Sequence, residues 1–337
     1  MSRVRGLGLV VHTGRPVAVA AAARVHAWAE DRGIHVTDLD VWAEEGSPRR
    51  HAADEVAAAG PLDVVVTIGG DGTFLRGVRV ASHADAVVLG VNVGRVGFLT
   101  EVSCEEVLDA LEAYVAGTAL IEERMTLTVS ASQPLHLPEG MDLLLRASTR
   151  GPVLPPPKPL PRHGDGIPLD VIAVNDVVFE KLVRDRQVSM ALYLDGKAFA
   201  SYSADALVVA SPTGSTAYSF ASGGPIVSPR LDAIVFTPVA PHMVFDRSIV
   251  LAGDEVAAVK VLPKSGPVAV SVDGQLRGVL DPGDWMEVRA APWRARLVRL
   301  HRMDFYGRMR ERFGLTDAPA AVADGILDGS PVDAPVQ

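Results

Sequence analysis

The sequence is poor in three features that would each indicate a particular class of protein. Its one cysteine, Cys104, excludes disulfide bonds within the chain and any zinc site built from several cysteines. Aromatic residues make up only 5% of the chain, so alanine and valine must fill much of the core. No apolar run reaches the roughly 18 residues of a membrane-spanning helix, and the apolar stretch at residues 7–11 is too short for a signal peptide. These absences predict a soluble, cytoplasmic protein with no membrane partner.

Positively charged residues are also fewer than negatively charged ones. The chain carries 32 Lys and Arg residues against 41 Asp and Glu residues, a formal net charge of −9. Such a balance repels nucleic-acid phosphates and anionic lipids unless a local basic patch overrides it, so we expect no nucleic-acid partner. A length of 337 residues with 48% hydrophobic residues predicts a globular protein of about two domains.

The pattern of apolar residues changes partway along the chain. The first part alternates short apolar runs with alanine-rich helical stretches, which is typical of a parallel sheet flanked by helices. Many short β-rich runs separated by turn signals follow. The sequence therefore predicts an α+β protein with an α/β parallel-sheet domain over residues 1–118 and an all-β, sandwich-like domain over residues 119–295. We expect a helix at residues 296–315 that docks on the N-terminal domain, and a disordered tail at residues 316–337.

Residues 131–168 interrupt the β-rich part. Six of the ten residues from 152 to 161 are proline, which lacks a backbone N–H and is excluded from helix interiors and central strands. Because loops accept added length at little cost, we expect an exposed, mobile surface insertion rather than a proline-rich ligand.

A glycine-rich run at residues 69–73 follows an apolar strand and precedes a helical pattern. Consecutive glycines let the backbone approach a phosphate group, and the N-terminus of the helix favours its charge; Thr73 is the expected N-cap. A carboxylate at Asp71 would repel that phosphate unless it holds a metal ion or accepts a proton from an attacking hydroxyl. The run therefore predicts phosphoryl transfer, although an Asp-Gly hairpin turn is the alternative. No Lys follows the glycines and no GxGxxG occurs, which argues against P-loop and Rossmann sites.

Two further polar segments are candidates for ligand binding. The composition of the hydroxyl-rich run at residues 211–219 fits two alternatives equally well. The run could be a linker, or it could form a pocket in which Ala217 and Tyr218 contact a flat ring. Asn175 and Asp176 lie within an apolar β run, where buried polar groups need partners such as sugar hydroxyls. A local turn is the alternative for this pair.

Five motifs taken together resemble those of bacterial NAD kinases: GGDGTFLR (69–76), GVNVGRVGFLTE (90–101), NDVVFE (175–180), SADALVVASPTGSTAYSFASGGPI (203–226) and SVDGQ (271–275). The resemblance covers residues 7–314 apart from the insertion. GGDG alone is shared with lipid kinases and phosphofructokinases, and the resemblance implies a phosphofructokinase- and diacylglycerol-kinase-like N-terminal domain. It also implies transfer of the γ-phosphoryl of ATP, or of polyphosphate, to the 2′-hydroxyl of the adenosine ribose of NAD. A divalent cation such as Mg²⁺ and a homodimer or homotetramer are further implications.

The resemblance also implies roles for individual residues. Asp71 would be the general base, with Gly70 and Gly72 beside it at the transferring phosphate, whereas Asn175 and Asp176 would hold ribose hydroxyls. The other implied ligand-binding positions are Arg76, Phe98 (adenine), Arg186, Ser203, Asp205 (nicotinamide end), Thr216, Ala217, Tyr218, Ser219, Ala221 and Gln275. Ala221 replaces a usual Ser and Ser203 stands where some relatives carry Arg. No side chain is proposed as a metal ligand.

Two other functions remain as alternatives. A lipid or sugar kinase could share GGDG, but the run at residues 211–219 and the lack of a basic amphipathic membrane-binding segment argue against it. A dinucleotide sensor without turnover could keep the pocket, but Asp71 argues against that reading.

Overall fold

The computed structural model describes residues 4–39, 51–94, 97–138, 154–161, 165–183 and 186–315. Among these residues, those up to His301 form one compact unit and residues 302–315 belong to a second. The helices among the described residues are α1 (Pro16–Glu30), α2 (Ala52–Ala59), α3 (Asp71–Ala84), α4 (Val107–Ala116), a 3-10 helix (Thr213–Thr216), α5 (Tyr218–Ala221) and α6 (Phe305–Arg312).

The described strands belong to three sheets. The first ten in chain order are β1 (Gly6–Val11), β2 (His35–Asp38), β3 (Val64–Gly69), β4 (Val87–Asn92), β5 (Val102–Ser103), β6 (Leu120–Arg124), β7 (Leu127–Ala131), β8 (Ile167–Pro168), β9 (Asp176–Lys181) and β10 (Val188–Leu194). The others are β11 (Lys197–Ala204), β12 (Ala206–Ala210), β13 (Ala233–Val239), β14 (Ile249–Ala252), β15 (Ala257–Val261), β16 (Val268–Val272), β17 (Gln275–Leu280), β18 (Trp285–Ala290) and β19 (Ala295–Arg299).

The first sheet has the strand order β2-β1-β3-β4-β19-β6, with β5 also paired to β4, and its strands are parallel except at the β19–β6 pair. Alternate side chains face opposite sides, as they must in a strand. Val64 and Val66 belong to a core that includes Val25 of α1, whereas Val65 belongs to a second core that includes Phe74 of α3. Helices on both faces bury every residue of β3 and β4, so these strands are largely apolar, with Thr67 and Asn92 as their polar residues.

The other two sheets form a sandwich. Their antiparallel strands have the orders β11-β10-β15-β18-β7-β8 and β14-β13-β12-β9-β16-β17. Met190 and Val259 of the first, with Phe179 and Leu207 of the second, belong to a single buried core. The predicted α+β fold class, a parallel-sheet part followed by an all-β part, is confirmed.

The sheets do not divide at the predicted domain boundaries. Residues 120–124 and 295–299 are strands of the first sheet, so the predicted helix is wrong for residues 296–299. Arg299 of β19 is 3% exposed and lies in a network of ion pairs. The helical part of the predicted 296–315 segment is α6, capped by Asp304, whose side chain accepts a hydrogen bond from the Gly307 N–H. Its docking stays a prediction.

The described residues of the 131–168 segment include some that belong to the sandwich core. Leu135 is 5% exposed and Ile167 is 7% exposed, and both belong to the sandwich core. Pro159 forms a bridge to Leu169 at the sheet edge, where a missing N–H is tolerated. The prediction of an exposed insertion is therefore wrong for Leu135 and Ile167, whereas residues 133, 134, 136, 159–161 and 165 are exposed as predicted. Positions 139–153 and 162–164, like the predicted tail at 316–337, lie outside the described part. Among the described residues, no helix is both long and apolar enough to cross a membrane.

Candidate active site

The glycine-rich run lies where a buried strand meets a helix. β3 ends at Gly69 and α3 begins at Asp71, with Gly70 as an N-cap in extended conformation that supplies no side-chain hydrogen bond. The hairpin alternative for this run is therefore wrong. So is the prediction of Thr73 as the N-cap, because the helix begins two residues earlier and Thr73 is its third residue. A helix N-terminus without a side-chain cap leaves backbone N–H groups available to an anion.

The Asp71 carboxylate is held by the segment that follows β4. The backbone N–H groups of Phe98 and Leu99 donate to its two oxygens at 3.3 Å each, and the Thr100 hydroxyl lies 3.5 Å from Oδ1. A Cβ at Gly97 would lie 2.1 Å from Oδ1, so this close approach requires glycine. The structure therefore brings Asp71 and Phe98, both predicted site residues, into direct contact.

Arg299 supports the segment that contacts Asp71. Its guanidinium donates to the Leu99 carbonyl at 3.1 Å and pairs with Glu101 at 3.3 Å and with Glu122 at 2.8 Å. Because Arg299 is buried, its charge needs these carboxylates. Sequence reasoning missed this residue, which lies 200 positions from Leu99 in the chain.

The network continues toward the hydroxyl-rich run. Glu122 also pairs with Arg124 at 2.7 Å, and Arg124 donates to the Thr213 hydroxyl at 3.5 Å. Burial alone would raise the pKa of Glu122, but the guanidinium groups of Arg299 and Arg124 outweigh it, so this pKa is lowered. The ion pairs thus connect the segment beside Asp71 with the run at residues 211–219.

The hydroxyl-rich run is not a linker, since it folds into a buried turn against Asn175. Ser211 and Ser215 are fully buried, and the Ser211 N–H donates to the Asn175 carbonyl at 2.8 Å. A Cβ at Gly214 would lie 1.9 Å from that same carbonyl oxygen. This contact brings Asn175 and the Thr216–Ala217 corner, all predicted site positions, into one part of the molecule.

Asp176 is a buried carboxylate at the start of β9, so the local-turn alternative is wrong for it. The side chain is 4% exposed. Burial and the nearby Asp273 carboxylate raise its pKa to about 7, while a hydrogen bond from the backbone N–H of Tyr218 acts in the opposite direction. A carboxyl group that titrates near neutral pH is a candidate functional group.

Tyr218 lies within reach of several acidic groups. Burial raises the pKa of its phenol, and the charges of Glu180, Asp205 and Asp176 raise it further. Its ring is still 40% exposed and so can contact a ligand. Asp205 forms an ion pair with Lys181 at 2.6 Å.

Other predicted ligand positions have partners within the protein. Ser219 is fully buried and its hydroxyl bonds that of Thr237 at 2.9 Å, so it faces the core. Ser203 donates to Gln187 at 2.9 Å. Arg186 and Ala221 are exposed, and among the described residues neither forms a hydrogen bond with Asp71 or Asp176.

Two predicted positions, Gln275 and Arg76, lie near Arg79 of α3, which sequence reasoning did not select. Gln275 accepts a hydrogen bond from Arg79 at 2.7 Å. Arg76 is 7% exposed, and burial together with the neighbouring charge of Arg79 lowers its pKa to about 10. Sequence reasoning also missed Asp273, although it stands in the quoted SVDGQ motif; its carboxylate accepts hydrogen bonds from the backbone of residues 174–176.

Within the described ranges, no group of three or more His, Cys, Asp or Glu side chains is placed to hold a metal ion.

Two family models match the chain: ATP-NAD kinase N-terminal domain over residues 7–119 and ATP-NAD kinase C-terminal domain over residues 174–300. NAD kinase 1 of Streptomyces avermitilis is 61% identical over 326 residues, which cover 96% of this chain and 90% of that protein. The chain belongs to the NAD kinase family. NAD kinase 2 of Streptomyces coelicolor, another member, is 33% identical over 319 residues, covering 93% of this chain and 96% of that protein. The predicted resemblance to bacterial NAD kinases is therefore confirmed.

Solved structures of the family share the fold. Yeast NADH kinase complexed with NADH superposes with a TM-score of 0.71 at 22% identity, covering 94% of this chain and 90% of that one. An NAD kinase from Archaeoglobus fulgidus in complex with ATP gives a TM-score of 0.60 at 21% identity, covering 92% and 97%. Both the parallel-sheet part and the sandwich are thus parts of the NAD kinase fold.

Proposed function

We infer that this chain is an NAD kinase that transfers the γ-phosphoryl group of ATP to the 2′-hydroxyl of the adenosine ribose of NAD, giving NADP. The observation that carries this inference is the Asp71 carboxylate, held by the Phe98 and Leu99 N–H groups at the N-terminus of α3. A lipid or sugar kinase is disfavoured because the matches span both domains of the NAD kinase family.

Asp71 acts as the general base in this reaction. Its carboxylate accepts the proton of the 2′-hydroxyl as that oxygen attacks the γ-phosphorus and the bond to ADP breaks. The N–H groups and dipole of α3 at Gly70 and Gly72 stabilise the negative charge of the transferring group. Hydrogen bonds from residues 98–100 fix the orientation of the carboxylate, which is what proton transfer over a short distance requires.

The sandwich supplies the NAD-binding groups. Asn175 and Asp176 hold ribose hydroxyls, because a buried carboxylate is best stabilised by several donors and a ribose offers two. Thr216, Ala217 and the exposed ring of Tyr218 line the dinucleotide site. Phe98 as adenine contact and Asp205 at the nicotinamide end follow from the resemblance, as do the ligand contacts of Arg76, Arg186, Ser203, Ser219, Ala221 and Gln275.

ATP is expected to bring Mg²⁺ with it. Mg²⁺ in kinase sites binds substrate phosphates and keeps several waters, so it would arrive with the nucleotide and be held mainly through those phosphates. When bound, Mg²⁺ would supply positive charge that neutralises the phosphates. Polyphosphate as an alternative donor, a cytoplasmic location and a homodimer or homotetramer stay predictions from the resemblance.

The test is NADP formation by the purified protein with NAD, ATP and Mg²⁺, read through an NADP-specific dehydrogenase. Asp71→Asn should lower kcat about a hundredfold or more and leave the Kd for NAD nearly unchanged, as expected for loss of a general base. Asp109→Asn is the matched control, since it changes an exposed carboxylate in the first turn of another helix. Near-normal turnover by Asp71→Asn would refute its role. NAD binding without product from ATP or polyphosphate would instead support the sensor.

A further inference from the structure

The hairpin turn between β16 and β17 places a carboxylate against the backbone of the proposed ribose-binding segment. Asp273 and Gly274 have φ values of +49° and +72°, as in a two-residue hairpin turn with both central residues in the left-handed region. Asp273 Oδ1 accepts the N–H groups of Asn175 at 2.7 Å and Asp176 at 3.2 Å, and Oδ2 accepts that of Val174 at 3.0 Å. The Asp273 N–H donates in return to the Asp176 carbonyl at 3.0 Å.

These bonds are more than the hairpin itself requires. The turn between β10 and β11 has the same sequence and shape, with Asp195 at φ +46° and Gly196 at φ +73°. There the carboxylate accepts one backbone N–H, that of Val256, at 2.9 Å. Burial raises the pKa of Asp273 even though three N–H groups and Arg79 act against the shift, so its ionised form is costly.

The same hairpin also contacts the helix that carries the proposed base. Gln275, two residues beyond Asp273, accepts a hydrogen bond from Arg79 at 2.7 Å. Arg79 belongs to α3, whose first residue is Asp71. One turn therefore bonds to the helix of Asp71 on one side and to the backbone of Asn175 and Asp176 on the other.

We propose that Asp273 is a positioning residue for the reaction, which holds the Asn175–Asp176 segment in the orientation that binds the ribose. It touches no substrate and acts through the three backbone N–H groups. The hydrogen bond between Gln275 and Arg79 fixes the position of its hairpin relative to α3. The proposal rests on the ribose-binding role given above to Asn175 and Asp176. Since a displacement of about 1 Å in a reacting group costs about a hundredfold in rate, such a fixed backbone has a direct kinetic effect.

The test compares Asp273→Ala and Asp273→Asn with the matched pair Asp195→Ala and Asp195→Asn. Steady-state kinetics give kcat and the KM values for NAD and ATP, and thermal unfolding gives the stability of each variant. Asp273→Ala should raise the KM for NAD at least tenfold and the KM for ATP less than threefold. Asp273→Asn, which keeps one acceptor oxygen for Asn175 and Asp176, should recover most of that loss. Both Asp195 variants should stay within twofold of the parent.

Reduced folding alone gives a different result. A variant that is partly unfolded has less active enzyme, which lowers the apparent kcat and leaves the KM for NAD unchanged. An unchanged KM for NAD in Asp273→Ala, or equal increases for NAD and ATP, would overturn the positioning role even if the thermal midpoint fell.

A double-mutant cycle separates this proposal from the one on which it rests. If Asp176→Asn raises the KM for NAD and Asp273→Ala does not, the positioning role fails and the ribose-binding role stands. If both do, the combined variant should show less than the product of the two effects, because both changes act on one segment. If Asp176→Asn has no effect, its ribose role is wrong, and the positioning role then depends on the KM of Asp273→Ala alone.

Discussion

The pH dependence of NAD binding offers a sharp test of the role proposed for Asp176. Burial and the Asp273 carboxylate raise the pKa of this group to about 7, whereas the Tyr218 N–H acts against the shift. In the ionised form both carboxylate oxygens are acceptors, so each can accept a hydrogen bond from one ribose hydroxyl; in the protonated form one of them carries a proton. NAD affinity should therefore increase as the pH rises through 7.

The expected size follows from the titration curve. With a pKa of about 7, roughly 9% of Asp176 is ionised at pH 6 and about 91% at pH 8, so the Kd for NAD should fall about tenfold between them. Stability should change in the opposite direction. Because the folded pKa lies above the unfolded value, ionisation is disfavoured in the folded state, and the free energy of unfolding should fall as the pH rises from about 4 to about 7.

Direct binding of NAD without ATP is the assay, because the titration of the triphosphate then plays no part. Kd is measured from pH 5.5 to 8.5, with thermal unfolding at each pH to confirm that the protein is folded. Asp176→Asn should bind NAD more weakly at pH 8 and show no step near pH 7. A flat profile for the unchanged protein, or an identical step in Asp176→Asn, would refute the reasoning.

Two further substitutions test the support of Asp71. Gly97→Ala places a Cβ 2.1 Å from the Asp71 carboxylate and should lower kcat at least tenfold with little change in the Kd for NAD. Gly94→Ala is the control, because a Cβ at Gly94 would have open space around it. Equal kcat values for the two variants would contradict the contact between Gly97 and Asp71. Arg299→Met removes the buried guanidinium that pairs with the partly buried Glu101 and Glu122, although Glu122 keeps Arg124, and should cost about 2–3 kcal/mol in denaturant unfolding. Arg296→Met removes a more exposed ion pair on the same strand and should cost under about 1 kcal/mol, so similar losses would disprove the network's importance.

Much of the N-terminal architecture could be predicted because its signals are local. The apolar runs of β3 and β4, the glycines between β3 and α3, and the helical spacing of Phe74 and Val78 all lie within about 30 residues, the length of a single βαβ unit. Asp71 stood out for the same reason, since a carboxylate in a phosphate-binding turn is chemically unusual.

What could not be predicted depends on contacts between distant parts of the chain. Arg299 reads as a surface residue until Glu122 and Glu101 are placed beside it. Asp273 reads as an ordinary Asp-Gly turn, identical in type to Asp195, and only the arrival of residues 174–176 distinguishes the two. Neither a period nor a spacing in the sequence carries that information.

The position of β19 has a consequence for how the protein is made. This strand lies between β4 and β6 in the first sheet, yet it is separated from β4 by the whole sandwich. During synthesis the first sheet cannot be completed before residues 295–299 have been made. Until then the edge of β4 that pairs with β19 is unpaired and can bind strands of other chains. Because Arg299 arrives with that strand, a chain truncated before it lacks the support of the Asp71 segment. We therefore expect a chain that terminates before residue 295 to be inactive rather than partly active.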